Sequence, residues 1–233
     1  MNELKESLMR VFNLPSFVLC ALSGLLLFCQ CQSSCGAEPE KPLTYTISRQ
    51  VLLESKPNDH TWFHPRVAVI PNAEATQAST VLMTLQKLLP VSDYFSGMSS
   101  MQFSFGTHQW SKPVAPPELG WSKGSNDVDI AVADVTPVWH ARQQKVIAVG
   151  TQVRYSKQGH QLDDETRSHQ TAYAIYDPET GKWTSWKVLQ MPTDKKYDYA
   201  CSACAQWLVN PDGTLLLPFY HGTSSKTPIS VKV

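Results

Sequence analysis

Two tryptophans about 70 residues apart lie in sequence segments of similar pattern, and this internal repeat constrains the fold more than any other feature of the sequence. Residues 103–113 contain Trp110, and residues 175–186 contain Trp183. In both segments an apolar stretch is followed by a polar turn with a glycine, and the tryptophan is at the start of the next apolar stretch. The repeat predicts two β-hairpins in equivalent positions of a recurring unit.

Apolar segments of strand length continue from residue 62 onward and fall into groups of four. The first group comprises residues 66–70, 80–85, 101–105 and 110–114, and the second comprises residues 130–139, 145–155, 171–176 and 183–189. A third group begins at residues 205–209, turns at residues 210–213, returns along residues 214–220 and has a further candidate strand at residues 229–233. Many segments are apolar on both faces, which is typical of sheets stacked on both sides. We therefore expect an all-β fold.

This arrangement predicts a partial β-propeller over residues 62–233. Propellers usually have about four to eight blades of four strands each. With a period near 70, these residues hold about two and a half blades, which cannot close into a ring. The chain is expected to be either a fragment of a longer product or a short form that covers its last blade in another way.

The beginning of the chain has the features of an export signal. Lys5 and Arg10 precede an apolar run at residues 17–28, and small or polar residues follow to Ala37. The run is too short for a membrane span, so residues 1–37 are predicted to be a signal peptide and residues 38–61 a linker with an N-terminal strand. The mature protein would be secreted, periplasmic or on the cell surface. A lipid anchor on Cys29 or Cys35 is the alternative.

Charge and cysteine content narrow the functional classes. The formal net charge is zero and no basic stripe occurs, which argues against a nucleic-acid partner. Removal of residues 1–37 would leave only Cys201 and Cys204, and in an oxidising compartment this pair is expected to form a local disulfide or to remain two unreactive thiols. We expect no metal and no cofactor.

One segment carries a family resemblance. Residues 63–71, Phe-His-Pro-Arg-Val-Ala-Val-Ile-Pro, resemble the opening of the sialidase superfamily, whose BNR or Asp-box repeats build a six-bladed β-propeller. The resemblance extends through residues 84–93, 132–137 and 206–220 and the two tryptophan turns, although neither turn has the usual Asp-box spacing. It implies an exported exo-α-sialidase type of glycoside hydrolase, which cleaves terminal sialic acid or a related acidic sugar from a glycan.

The resemblance also implies roles for individual residues. Arg66 would bind the sugar carboxylate, for which a planar, permanently charged guanidinium is suited. Asp93 would be the catalytic acid/base, protonating the leaving oxygen and then activating water. The alternatives are that Arg66 pairs with a nearby acid and that Asp93 is an ordinary turn residue.

Three further residues are candidates for substrate binding. Lys87 stands near the position of a further arginine in many members, and Asp134 and His140 flank Pro137 at the end of a candidate inner strand. The tyrosine nucleophile, its glutamate partner and two more arginines belong to later blades, so this chain alone is expected to be inactive. The competing hypothesis is a non-catalytic propeller that binds carbohydrate or protein, because residues 176–183 also resemble a kelch-repeat turn.

Overall fold

Regular structure in this protein is almost entirely β-strand. The computed structural model describes residues 44–56, 58–72, 79–91, 93–163, 169–202, 206–224 and 230–232. The chain divides into two units, residues 1–48 and residues 49–233, and the described stretch of the first, residues 44–48, carries no strand or helix. Besides three short 3-10 turns, the strands of the second unit are β1 Thr61–Ile70, β2 Thr80–Leu88, β3 Ser99–Ser104, β4 Gln109–Trp110, β5 Ser122–Lys123, β6 Asp129–His140, β7 Lys145–Tyr155, β8 Gln161–Leu162, β9 Thr171–Asp177, β10 Lys182–Trp183, β11 Lys187–Val188, β12 Tyr199–Ser202, β13 Leu208–Val209, β14 Leu215–Leu216, β15 Phe219–Gly222 and β16 Ser230–Lys232. The prediction of an all-β fold is confirmed.

The first predicted group forms one antiparallel sheet in the order β1-β2-β3-β4. Its last hairpin pairs Phe103 with Trp110, and the two rings lie 5.4 Å apart. Alternation along β1 buries Ala68 and Ile70 and leaves Val67 and Val69 exposed, because successive side chains of a strand point to opposite faces. The first tryptophan repeat is therefore an outer hairpin of this sheet.

The second predicted group forms the larger sheet, whose main path is β10-β9-β7-β6-β5. The hairpin of β9 and β10 pairs Tyr176 with Trp183, so the second tryptophan occupies the position that Trp110 has in the first sheet. Residues 146–150 of β7 are buried without interruption, as expected for a strand covered on both faces. Strands β5, β8 and β11 were not predicted as separate strands, because a strand of two residues has no periodicity to detect.

The third region differs from its prediction. The Asp-Gly turn does join β13 to β14, with Gly213 at φ 87° and its N–H donating to Asn210 O at 2.8 Å. However, this hairpin is a separate two-stranded sheet, and the third main sheet is β12-β15-β16. The expectation that the third group begins at residues 205–209 was wrong. Strand β12 precedes those residues and pairs with β15, which follows the β13–β14 hairpin.

Apolar residues from neighbouring sheets form the core. One cluster joins the first sheet to the second through Ile70, Leu82, Val135 and Ala148. Another joins the second sheet to the third region, where Trp207 is 1% exposed and donates from Nε1 to Thr136 O at 3.1 Å. The second sheet is thus packed on both faces.

A membrane-spanning helix does not occur in the described part of the chain, since none of its helices has the length and hydrophobicity to cross a bilayer. Residues 1–37, predicted to be a signal peptide, lie outside the described residues, and that prediction stays untested.

Candidate functional site

Two β-bulges bring a histidine and an aspartate together. The register of β1 with β2 shifts between Phe63 and Arg66, and that of β6 with β7 shifts between Ala133 and Thr136. Each bulge contains one residue in the left-handed region, His64 at φ 49° and Asp134 at φ 57°. Bulges redirect side chains and concentrate at functional sites. Here they place His64 Nδ1 2.9 Å from Asp134 Oδ1.

The His64–Asp134 contact is a close approach rather than an aligned hydrogen bond. Although the two atoms are 2.9 Å apart, both are buried atoms without a hydrogen-bond partner within the described chain. Each side chain keeps 24% of its surface exposed. Burial lowers the pKa of His64, Asp134 opposes that effect, and Arg66 reinforces it. At neutral pH the imidazole is therefore mostly uncharged.

Arg66 lies two residues after His64 on β1. It pairs with Thr84 across the sheet and shares the face of Ala68 and Ile70, the face that packs towards β6. Its Nε is buried and finds no hydrogen-bond partner among the described residues. An unpartnered buried donor typically costs about 1–3 kcal/mol and calls for an explanation. The guanidinium therefore has binding capacity that the fold does not use.

Asp93 occupies the turn after β2, at φ 54° and exposed to solvent. Its backbone carbonyl accepts hydrogen bonds from Tyr155 Oη at 2.8 Å and from Gln161 Nε2 at 3.2 Å. Two residues later the ring of Phe95 lies 5.5 Å from the ring of His64. The turn that carries Asp93 is therefore fixed beside the His64–Asp134 contact.

Tyr155 is the group that holds this turn. Its side chain is 0% exposed, it accepts a hydrogen bond from Phe95 N at 3.3 Å, and it donates to the Asp93 carbonyl. Burial strongly raises the pKa of the Tyr155 phenol, and the charges of Asp93 and Asp134 add to this rise. A buried, protonated phenol with both roles occupied serves structure and not nucleophilic attack.

Lys87 points away from this group. Lys87 lies on β2 and pairs with Trp62 of β1. Its Nζ lies 5.3 Å from the centre of the Trp62 ring, which is a cation–π contact. Strand alternation places it on the face opposite to Thr84 and Gln86, which both hydrogen-bond to β6. The structure thus separates Lys87 from Arg66 by the thickness of the first sheet.

His140 lies at the far end of β6, about 20 Å of strand from Asp134. Its Nδ1 accepts from the Gln143 N–H at 3.2 Å, so Nε2 carries the proton and donates to Gly213 O at 3.0 Å. Nδ1 therefore holds the turn between β6 and β7, and Nε2 holds the β13–β14 turn. The structure does not bring His140 together with Arg66, Asp93 and Asp134.

Cys201 lies buried in β12, and burial raises the pKa of its thiol. Cys204 lies outside the described residues, so the predicted disulfide stays a prediction. The charge of Asp134 adds to the rise in the pKa of Cys201.

The residue missed by sequence reasoning is His64. It was not among the predicted site residues, and the nearby His60 contacts Asp59 at 2.8 Å. Pro65 was the available signal, because proline within a strand favours an edge or a bulge. The partner on β6 was not detectable, since nothing local relates residue 64 to residue 134.

No protein-family model matches this sequence, and no curated protein matches it significantly. Functional inference therefore rests on the geometry around Arg66.

Proposed function

We propose that this protein is a sialidase-like propeller segment in which Arg66 binds the carboxylate of a terminal sialic acid or a related acidic sugar. Three features support the proposal: successive antiparallel sheets stacked face to face, strands β1 and β6 in equivalent positions, and tryptophan-closed outer hairpins. The predicted signal peptide would place the protein outside the cell, where sialylated glycans occur.

The observation that carries the proposal is the unused guanidinium of Arg66. Within the described chain no hydrogen bond or ion pair involves it, although it is half-buried and its Nε is fully enclosed. A cation without a hydrogen-bond partner in a partly buried position favours an anion, and a carboxylate matches its planar fork. The His64 side chain, 24% of which is exposed, lies close enough to Arg66 for the guanidinium to lower its pKa.

Binding of N-acetylneuraminic acid tests this role. In calorimetric titrations, Arg66→Gln is expected to weaken binding at least about tenfold, because each charge-assisted bond contributes about 1.5–3 kcal/mol. Arg49→Gln is the matched control, since Arg49 is exposed and removal of its charge leaves the site intact. Equal affinities of wild type and Arg66→Gln would refute the proposal.

Asp93 is proposed as the acid/base residue of the hydrolase. In a form of the protein that includes the later blades, hydrolysis of a fluorogenic α-sialoside is expected to disappear in Asp93→Asn, while binding of the sugar is retained. Asparagine tolerates the left-handed backbone of this turn. Asp127→Asn is the control, because Asp127 is also an exposed turn aspartate, at φ 59°.

A non-catalytic acidic-glycan-binding propeller is the second candidate, and the state of Tyr155 favours it. This tyrosine lies next to Asp93, but its burial and its two hydrogen bonds exclude it as a nucleophile. The protein is a binding module if sialoside binding depends on Arg66 and no hydrolysis is detected that Asp93→Asn abolishes.

A further inference from the structure

His64 lies in a position to contact whatever Arg66 binds. Both side chains emerge from the same bulge of β1, and Arg66 is close enough to His64 to shift its pKa. The His64 ring is flanked by Phe63 at 4.0 Å and Phe95 at 5.5 Å, and 24% of the side chain remains exposed. The rings fix its orientation and leave an accessible edge.

The charges around His64 set the affinity of the site for anions. Arg66 contributes one positive charge from β1, and Asp134 contributes one negative charge from β6. Protonation of His64 raises the net charge of the site by one positive unit.

Other titratable groups near the site do not change this balance between pH 5 and pH 8. On β7 and β12, burial raises the pKa of Tyr155 and of Cys201, so both groups stay protonated and uncharged. Asp93 lies in the turn packed against Tyr155, where it is exposed to solvent. The histidine is therefore the group whose charge changes.

We infer that His64 is a second ligand-binding residue of the Arg66 site and that its protonated ring binds the acidic group of the ligand. This inference rests on the proposed function. It predicts that affinity for an acidic sugar is low and constant at high pH and increases as pH falls through the pKa of His64. By linkage, the bound anion raises the pKa of His64.

The experiment measures N-acetylneuraminic acid binding by titration calorimetry from pH 8 to pH 5, a range in which the sugar carboxylate stays ionised. The variants are His64→Asn and His108→Asn. Asparagine tolerates a positive φ, and His108, exposed at φ 52° in the outer hairpin of the first sheet, is a control with the same residue type and backbone conformation. An NMR titration of the histidine ring protons, with and without the sugar, reads the pKa of His64 directly.

Wild type and His108→Asn are expected to bind about tenfold more tightly at pH 5 than at pH 8, which corresponds to a rise of one unit in the pKa of His64 on binding. His64→Asn is expected to keep the pH 8 affinity at all pH values. Arg66-dependent binding that does not change with pH, or a pH dependence retained in His64→Asn, overturns the role of His64 and leaves the proposed function standing. Absence of binding in wild type at every pH overturns both.

Discussion

Replacement of Gln86 by Met tests how the first sheet is attached to the second. The Gln86 side chain is 0% exposed, and its Nε2 donates to Ser96 O at 2.9 Å and to Val132 O at 2.8 Å. The N–H of Gln152 on β7 donates to the backbone oxygen of Gln170. Gln152 and the facing Val132 are therefore a non-hydrogen-bonded pair of the antiparallel ladder. In such a pair the Val132 carbonyl points away from β7. Gln86 replaces the strand partner that this carbonyl lacks.

Two opposing effects determine how much Gln86→Met changes the free energy of unfolding. Methionine has a similar length but leaves the buried Val132 carbonyl and the partly buried Ser96 carbonyl without their donor. Each unsatisfied buried group costs about 1–3 kcal/mol. The Oε1 atom of Gln86 has no partner among the described residues, so its removal relieves a cost of the same kind. The expected net destabilisation is about 2 kcal/mol, or a fall in Tm of roughly 4–8 °C for a domain of this size.

Urea unfolding followed by tryptophan fluorescence is the assay, with Gln102→Met as the matched control. Gln102 also connects the two sheets, but through one hydrogen bond to Tyr176 Oη at 2.7 Å at a half-buried position, where water can replace it. Gln102→Met is expected to cost at most about 1 kcal/mol. If Gln86→Met costs less than about 0.5 kcal/mol, or no more than Gln102→Met, the side chain does not hold β6 and the argument is wrong.

Three further predictions concern packing and titration. Gly150→Ala is expected to destabilise by at least about 2 kcal/mol in the same urea assay, because the added methyl group would lie 2.6 Å from the backbone oxygen of Ala133. Under reducing conditions Cys201 is expected to react with a thiol reagent only after unfolding, and rapid labelling of the native protein would contradict its burial. The hydrogen bond from Lys145 Nζ at 2.8 Å lowers the pKa of Asp177, so this carboxylate stabilises the fold above its ordinary pKa and less as pH falls through the lowered value. The difference in urea midpoint between wild type and Asp177→Asn should therefore shrink as pH falls below the ordinary aspartate pKa, and a constant difference would show that the ion pair does not contribute.

The parts of the fold predicted from sequence are those encoded by local patterns. Strand β7 was predicted with its observed bounds, and both tryptophan hairpins have the expected pairing. Alternating or continuous apolar residues report on strand faces over a few neighbours, and the glycine turns fix where the chain reverses. The short strand β12 was missed, because its pairing with β15 depends on residues beyond an intervening hairpin.

Of the five residues predicted for the site, three lie near one another in the structure. Arg66, Asp93 and Asp134 lie around one group of contacts, whereas Lys87 contacts Trp62 on the opposite face and His140 holds a turn at the other end of β6. The sequence indicated the type and the approximate position of these residues. The face on which a side chain emerges changes with a single-residue shift in register, and sequence reasoning did not detect the bulges.

The sequence by itself determined that this chain forms repeated antiparallel sheets, because strand periodicity and turn chemistry act over a few neighbouring residues. The tertiary structure decided that His64 contacts Asp134 and that Arg66 lies close to His64. Two bulges on strands about 70 residues apart had to coincide, and the energy that places them comes from packing between sheets.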